Sequence, residues 1–134
     1  MQTKTDKLFH AVKKTIDDHY PTGWGGAGGV LLENGDILTS ISPEFPNAAS
    51  SVCMELGSYI QAATLRQQVT HTLCLVRENE HDSLTVLTPC GICQERLDLW
   101  GKTTQCGIDT LPNGEIHYIP LADLQPFHWS GVYQ

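Results

Sequence analysis

The sequence predicts an α/β sandwich, a mixed sheet flanked by helices. Two observations carry that expectation. Segments with helical spacing alternate with short apolar or β-branched runs, in the order α-β-β-α-β-α-β with a short last helix. No repeat, linker or low-complexity tract interrupts the 134 residues, a length that buries one core and reads as a single domain over residues 1–134.

Residues 6–20, DKLFHAVKKTIDDHY, repeat Leu8, Phe9, Val12 and Ile16 at helical spacing, set Lys13 and Lys14 on another face, and stop at Pro21. The next stretch reads as a hairpin about the turn ENGD, with arms at Val30–Leu32 and Ile37–Ile41. Its first arm carries Gly23, Gly25, Gly26, Gly28 and Gly29. So many glycines weaken a strand and mark a close approach of backbone or ligand. A phosphate-binding loop is excluded, because its lysine and hydroxyl residue are missing and no nucleotide-binding helix follows. SPEFPNAAS is a loop. Residues 51–68, SVCMELGSYIQAATLRQQ, read as a helix with Ser50 or Ser51 as cap. HTLCLVREN is a buried strand. LTVLTPCGICQERLDLWG runs from a short strand through a turn into a helix that Gly101 ends. QCGIDTLPNGEIHYIP forms a strand pair about PNG, and LADLQPFHW a short terminal helix.

Eight basic residues stand against fifteen acidic ones, a formal charge of −7. A nucleic-acid polymer is therefore not the expected partner, since few cations are present to neutralise phosphates. A small neutral or weakly charged ligand fits the balance better. No apolar run approaches a membrane span, and MQTKTDKLFHAVKK has no signal-peptide core, so a cytoplasmic location with reduced cysteines is expected.

Reduced cysteines at short spacing point to metal or catalysis. Cys90 and Cys93, in TPCGICQE, supply half of a tetrahedral zinc shell. Cys53, in CMEL, supplies a third thiolate, and both segments are expected to open helices, where unpaired N–H groups favour the thiolate form. Three thiolates leave the fourth position open, which is the catalytic arrangement. Glu55, two residues past Cys53, is placed to move protons at a group held there: zinc acidifies water and the carboxylate relays its proton. The ordered pattern C-x-E … P-C-x-x-C is the all-cysteine form of the zinc deaminase signature. Plainer readings explain less. Cys74 and Cys106 lie in apolar strand segments and read as core thiols, not as a fourth structural ligand. A redox C-x-x-C pair leaves Cys53 and Glu55 without a role. None of the six histidines has ligand spacing.

On these residues the chain resembles the cytidine deaminase family of small homotetrameric zinc enzymes. That family reads F-x-V-G-A-A-L-L … G-x-x-x-x-G-x-N-V-E-N ahead of C-A-E. Counted back from Cys53, Glu44 falls on its glutamate, Gly35 on its turn glycine, Val30 and Leu31 on its leucines, Ala27 on a glycine and Trp24 on its phenylalanine. LQPFHW is similar to its L-L-P-x-x-F ending. The resemblance implies a three-layer α-β-α sandwich with a mixed five-stranded sheet, a zinc cofactor on Cys53, Cys90 and Cys93, and Glu55 as proton shuttle. It implies a nucleoside substrate: Glu44, as a buried carboxylate, accepts from a ribose hydroxyl, peptide groups near Met54 and Cys90 contact the ring, and Trp24 stacks on it. It also implies a homotetramer in which Trp129 lies near a neighbouring subunit's site, although plain packing explains both tryptophans as well.

The departures are specific. Ser42 replaces the sugar-binding asparagine and has a shorter reach. Phe45 replaces another asparagine, between Pro43 and Pro46. C-A-E-R is here C-M-E-L, and P-C-G-x-C-R-Q is P-C-G-I-C-Q-E, so two arginines that temper the thiolates give way to Leu56 and Gln94. Neutralisation then falls to Arg66, Arg96 or backbone N–H groups. C-x-E-L also resembles blasticidin-S deaminase, which lacks the ribose-binding glutamate. The expected activity is deamination of cytidine or deoxycytidine to the uracil nucleoside. Its rivals are a deaminase of a modified cytosine nucleoside or other aminated ring, and an idle nucleoside-binding member, against which Glu55 argues.

Overall fold

The computed structural model of the protein describes residues 2–133. Helix α1 spans Lys4–His19 and opens on a capping box: Thr3 Oγ1 accepts from the Asp6 N–H while the Asp6 carboxylate accepts from the Thr3 N–H. It begins two residues earlier than the apolar spacing suggests, because the cap and not the first leucine sets the start. Leu8, Val12 and Ile16 form its fully buried stripe.

Strand β1 (Gly25–Leu32) is buried throughout and pairs with β2 (Ile37–Ser40) across the expected turn, where Gly35 takes φ +93°. Next come α2 (Leu56–Thr64), β3 (Val69–Arg77), the two-residue β4 (Thr85–Val86) and α3 (Gly91–Leu97). Strands β5 (Gln105–Thr110) and β6 (Ile116–Pro120) then lead into α4 (Leu121–Leu124) and a 3-10 helix at Trp129–Tyr133.

The sheet runs β2-β1-β3-β5-β6, with β4 added beside β3. Its five main strands meet the expectation; β4 is a sixth, pairing only at Leu75–Val86 and Val76–Thr85 before the chain turns toward Pro89. Strand β3 makes the sheet mixed, antiparallel to β1 and parallel to β5. Alternation along β1 sorts the core into two layers. Ala27 and Leu31, with Leu73 and Leu75 of β3, pack against α1. Val30 and Leu32 pack on the other face with Tyr59 and Ala62 of α2 and Cys93 and Leu97 of α3. Among the described residues no helix is long and apolar enough to cross a membrane.

Helix α2 is much shorter than the 51–68 segment expected. Ser50 belongs to a 3-10 turn at Ala48–Ser50, and residues 51–55 are irregular. A side chain explains the break. Ser40 Oγ donates to the Met54 carbonyl at 2.7 Å and accepts from the Ser58 N–H at 2.9 Å. The hydroxyl thus stands where Met54 and Ser58 would otherwise share a direct helical bond.

Candidate active site

Cys90 caps α3 and Cys93 lies one turn in, so the C-x-x-C spacing puts both sulfurs at the same end of the helix. Cys90 enters in extended backbone, and Gln94 fixes the turn by donating Nε2 to the Pro89 carbonyl at 2.8 Å. Cys90 is exposed in the isolated chain, whereas Cys93 is wholly buried against the α2 layer.

The second segment is held from beneath by the glycine-rich strand. A Cβ on Gly28 would fall 2.7 Å from both Cα and Cβ of Glu55, so only glycine admits the Glu55 backbone this close to β1. Glu55 caps α2 and is only 5% exposed. Cys53 therefore precedes the helix by three residues and does not open it as expected, because Ser40 and the sheet hold Met54 and Glu55 outside helical register. Ser42 Oγ donates to the Val52 carbonyl at 2.6 Å, fixing the approach from the other side.

These supports bring Cys53, Glu55, Cys90 and Cys93 together, with one ligand atom of each within 4.8 Å of the others. Cys53 and Cys90 sulfurs lie 3.3 Å apart. A tetrahedral zinc at ~2.3 Å from sulfur sets its thiolates about 3.8 Å apart, which this span accommodates. Three soft sulfur donors with a buried carboxylate beside them suit zinc in composition as well.

The thiols differ in acidity. Burial and the Cys90 contact push Cys53 up. Burial opposes ionisation of Cys90 too, but the N–H groups of Cys93 and Ile92 and its thiol neighbours outweigh it and hold Cys90 below the ordinary range. Cys93 is pushed well up by burial and by Glu55. A metal taken here must displace protons, most of all from Cys93.

The remaining expected residues are placed less uniformly. Met54 Sδ and the Trp24 ring both lie over Gly26, where a Cβ would meet them at 2.6 and 2.9 Å. Trp24 packs edge-on against Tyr20 at 5.4 Å and leaves nearly half its surface exposed. Glu44 is exposed, not buried, as are all its neighbours over residues 43–51 in the single chain. It stands near Tyr20, whose phenol is raised by burial and then by that carboxylate. The Ser42 hydroxyl proton is spent on Val52, leaving only its acceptor capacity free. Trp129 is 64% exposed and donates Nε1 to Glu95 at 3.3 Å on the outer side of α3, beside His128. It is not one of the four side chains gathered at Cys53.

Two contributors lacked a sequence signal of their own. Ser40 acts only through the tertiary approach of β2 to α2. Cys74, expected as a core thiol, is buried on β3 opposite Gly28, on the same face as Glu55; burial, then Glu55, raises it strongly. The glycine run was the available clue to that face.

Comparison with solved structures finds the same fold elsewhere. The crystal structure of the cytidine deaminase from Bacillus anthracis superimposes with a TM-score of 0.92 at 44% identity, covering 98% of this chain and 93% of that one. The cytidine deaminases from Burkholderia pseudomallei (TM-score 0.67, 16% identity, 90% and 95% of the two chains) and Mycobacterium leprae (0.66, 18%, 93% and 99%) share the fold. No protein-family model and no curated protein matches the sequence. At 44% identity over nearly the full length of both chains, with the expected sheet and the three-cysteine, one-glutamate cluster in place, the chain belongs to the cytidine deaminase family.

Proposed function

We propose that the protein is a zinc-dependent aminohydrolase that converts cytidine and deoxycytidine to the uracil nucleosides and ammonia. The observation that carries this is the buried Glu55 carboxylate within 4.8 Å of three gathered cysteine sulfurs, in a chain 44% identical to the Bacillus anthracis cytidine deaminase. Zinc held by Cys53, Cys90 and Cys93 supplies Lewis acidity that makes water nucleophilic near neutral pH.

The chain's own residues do the rest. Glu55 takes a proton from the attacking water and delivers it to N3 of the cytosine ring; it then takes the proton of the hydroxyl now on C4 and passes it to the amino group, which leaves as ammonia while the C4 carbonyl forms. Its position is fixed by Gly28 below and by the Ser40 hydroxyl on Met54, so the carboxylate meets the reacting atoms without first being ordered. Burial on the sheet keeps bulk water from competing for the proton. Trp24 and Met54 offer the ring an apolar surface over Gly26. Glu44 and the acceptor side of Ser42 take the sugar hydroxyls, and Trp129 serves a neighbouring subunit.

That last role requires an assembly. Exposed Trp24, Phe45 and Ile92, together with the exposed Cys90 and Glu44, leave the site side of the single chain open. A homotetramer that covers this side would bury Glu44 and complete the pocket. Cytoplasmic pyrimidine salvage is the setting that suits such an enzyme.

The direct test follows the cytosine absorbance of cytidine and deoxycytidine with zinc-loaded protein, with ammonia release as the second readout. Loss of the band matched by ammonia supports the reading; a zinc-bound protein inert on both nucleosides overturns this choice of substrate.

A further inference from the structure

Three thiolates around a dication carry one net negative charge, here in a chain whose formal charge is already −7. Partial burial makes such an excess costly unless a cation or a strong donor meets the sulfurs. The other basic side chains are committed or remote. Lys13 and Lys14 pair with Asp17 and Asp18, Lys102 with Asp98, and Arg77 with Asp17. Lys4 and Lys7 ride on α1, across the sheet from the cluster. Arg66 lies beyond the last turn of α2, beside Glu33 and Trp100. Arg96 is different. Its Nη1 donates to Cys93 Sγ at 3.5 Å, and α3 itself sets that approach, since the two residues are three apart. No described carboxylate lies within ion-pair distance of Arg96, although Glu95 and Asp98 sit one and two positions away. Those two turn instead to His128 and Lys102. Gln94, the nearer polar neighbour in sequence, is occupied by the Pro89 carbonyl.

We propose that Arg96 is a positioning residue that offsets the thiolate charge of the metal shell through its hydrogen bond to Cys93. The inference rests on the zinc reading above. A charge-assisted bond draws electron density from the sulfur, so it favours the bound thiolate and weakens its donation to the metal.

The test compares wild type with Arg96→Gln, Arg96→Lys and Arg96→Met. Zinc affinity is measured by competition with a chromophoric chelator. Cobalt-loaded protein supplies the second readout, its near-ultraviolet sulfur-to-metal charge-transfer band. Expected for Arg96→Gln is roughly tenfold or greater loss of zinc affinity, the range for lost outer-shell bonds, with the band moved to longer wavelength. Arg96→Lys, which keeps the charge, should recover most of both. Arg96→Met keeps the stem's packing and replaces Arg96→Gln if the latter does not fold. Unchanged affinity with an unmoved band in the neutral variants overturns the proposal, as does a lysine variant equal to the neutral ones. Wild-type protein that takes no zinc sinks the metal reading and this inference with it; wild type that binds zinc beside unaffected variants sinks this inference alone.

Discussion

Glu55 and Gly28 form one unit, although 27 positions separate them in the chain. The carboxylate is held in place because its backbone is pressed onto a strand residue that has no side chain. Glu55→Gln should retain zinc, since no thiolate is touched, yet lose roughly 10²-fold or more in kcat, the scale of a missing acid–base group; metal analysis beside steady-state rates checks both halves. Gly28→Ala tests the support. Its Cβ would meet backbone atoms, which cannot swing aside, so the expected cost is about 1–3 kcal/mol of overpacking together with a fall in kcat larger than any change in KM. Thermal melts and kinetics on the same preparation would show it.

At the scale of elements, the site depends on where α2 starts, whereas the cap of α1 bears on stability alone. Ser40→Ala leaves the Met54 carbonyl and the Ser58 N–H without the hydroxyl that joins them. We expect about 1–3 kcal/mol of destabilisation from unpaired buried groups and a reduced kcat, because the Met54–Glu55 segment loosens. Thr3→Ala is the contrasting case. It removes the reciprocal cap of α1 on the opposite face of the sheet, costing about 1 kcal/mol in urea unfolding, with kcat unchanged. Helix α2 also shows why its boundary was not legible. The apolar spacing of Tyr59, Ala62 and Ala63 marks the helix, but the residue that ends it at the N-terminal side comes from β2.

For the molecule as a whole, acid sensitivity and metal dependence follow from the same fold. Asp17, on α1, is held below the ordinary carboxylate range by Lys13 first and also by Arg77, whose guanidinium is buried at the end of β3. A carboxyl depressed by folding contributes stability above its unfolded pKa, about 4, and that contribution is lost as pH falls through the folded value. Asp17 is 40% exposed, so solvent screens the gain. Asp17→Asn should therefore be less stable than wild type near pH 7, and the gap should close toward pH 3 in urea titrations. Zinc removal by a chelator should lower the melting temperature, since the metal binds the gathered thiolates of the native state far better than the unfolded chain. Zinc affinity should also fall as pH drops, because protons compete for the sulfurs.

Through local spacing and residue type the sequence names the gathered cysteines Cys53, Cys90 and Cys93, the carboxylate Glu55 beside them, the turn at Gly35 and the buried stripe of α1. It also flagged the glycines of β1 as a close approach without saying to what. Packing of distant segments settles that Glu55 is what approaches Gly28, that Ser40 breaks α2, that Glu44 is exposed in the single chain, and that Arg96, among the described basic residues, turns to the cysteines. The division has a physical cause. Covalent neighbours and helical period are local and can be read along the chain, whereas charge pairing and close approach depend on which faces the sheet brings together.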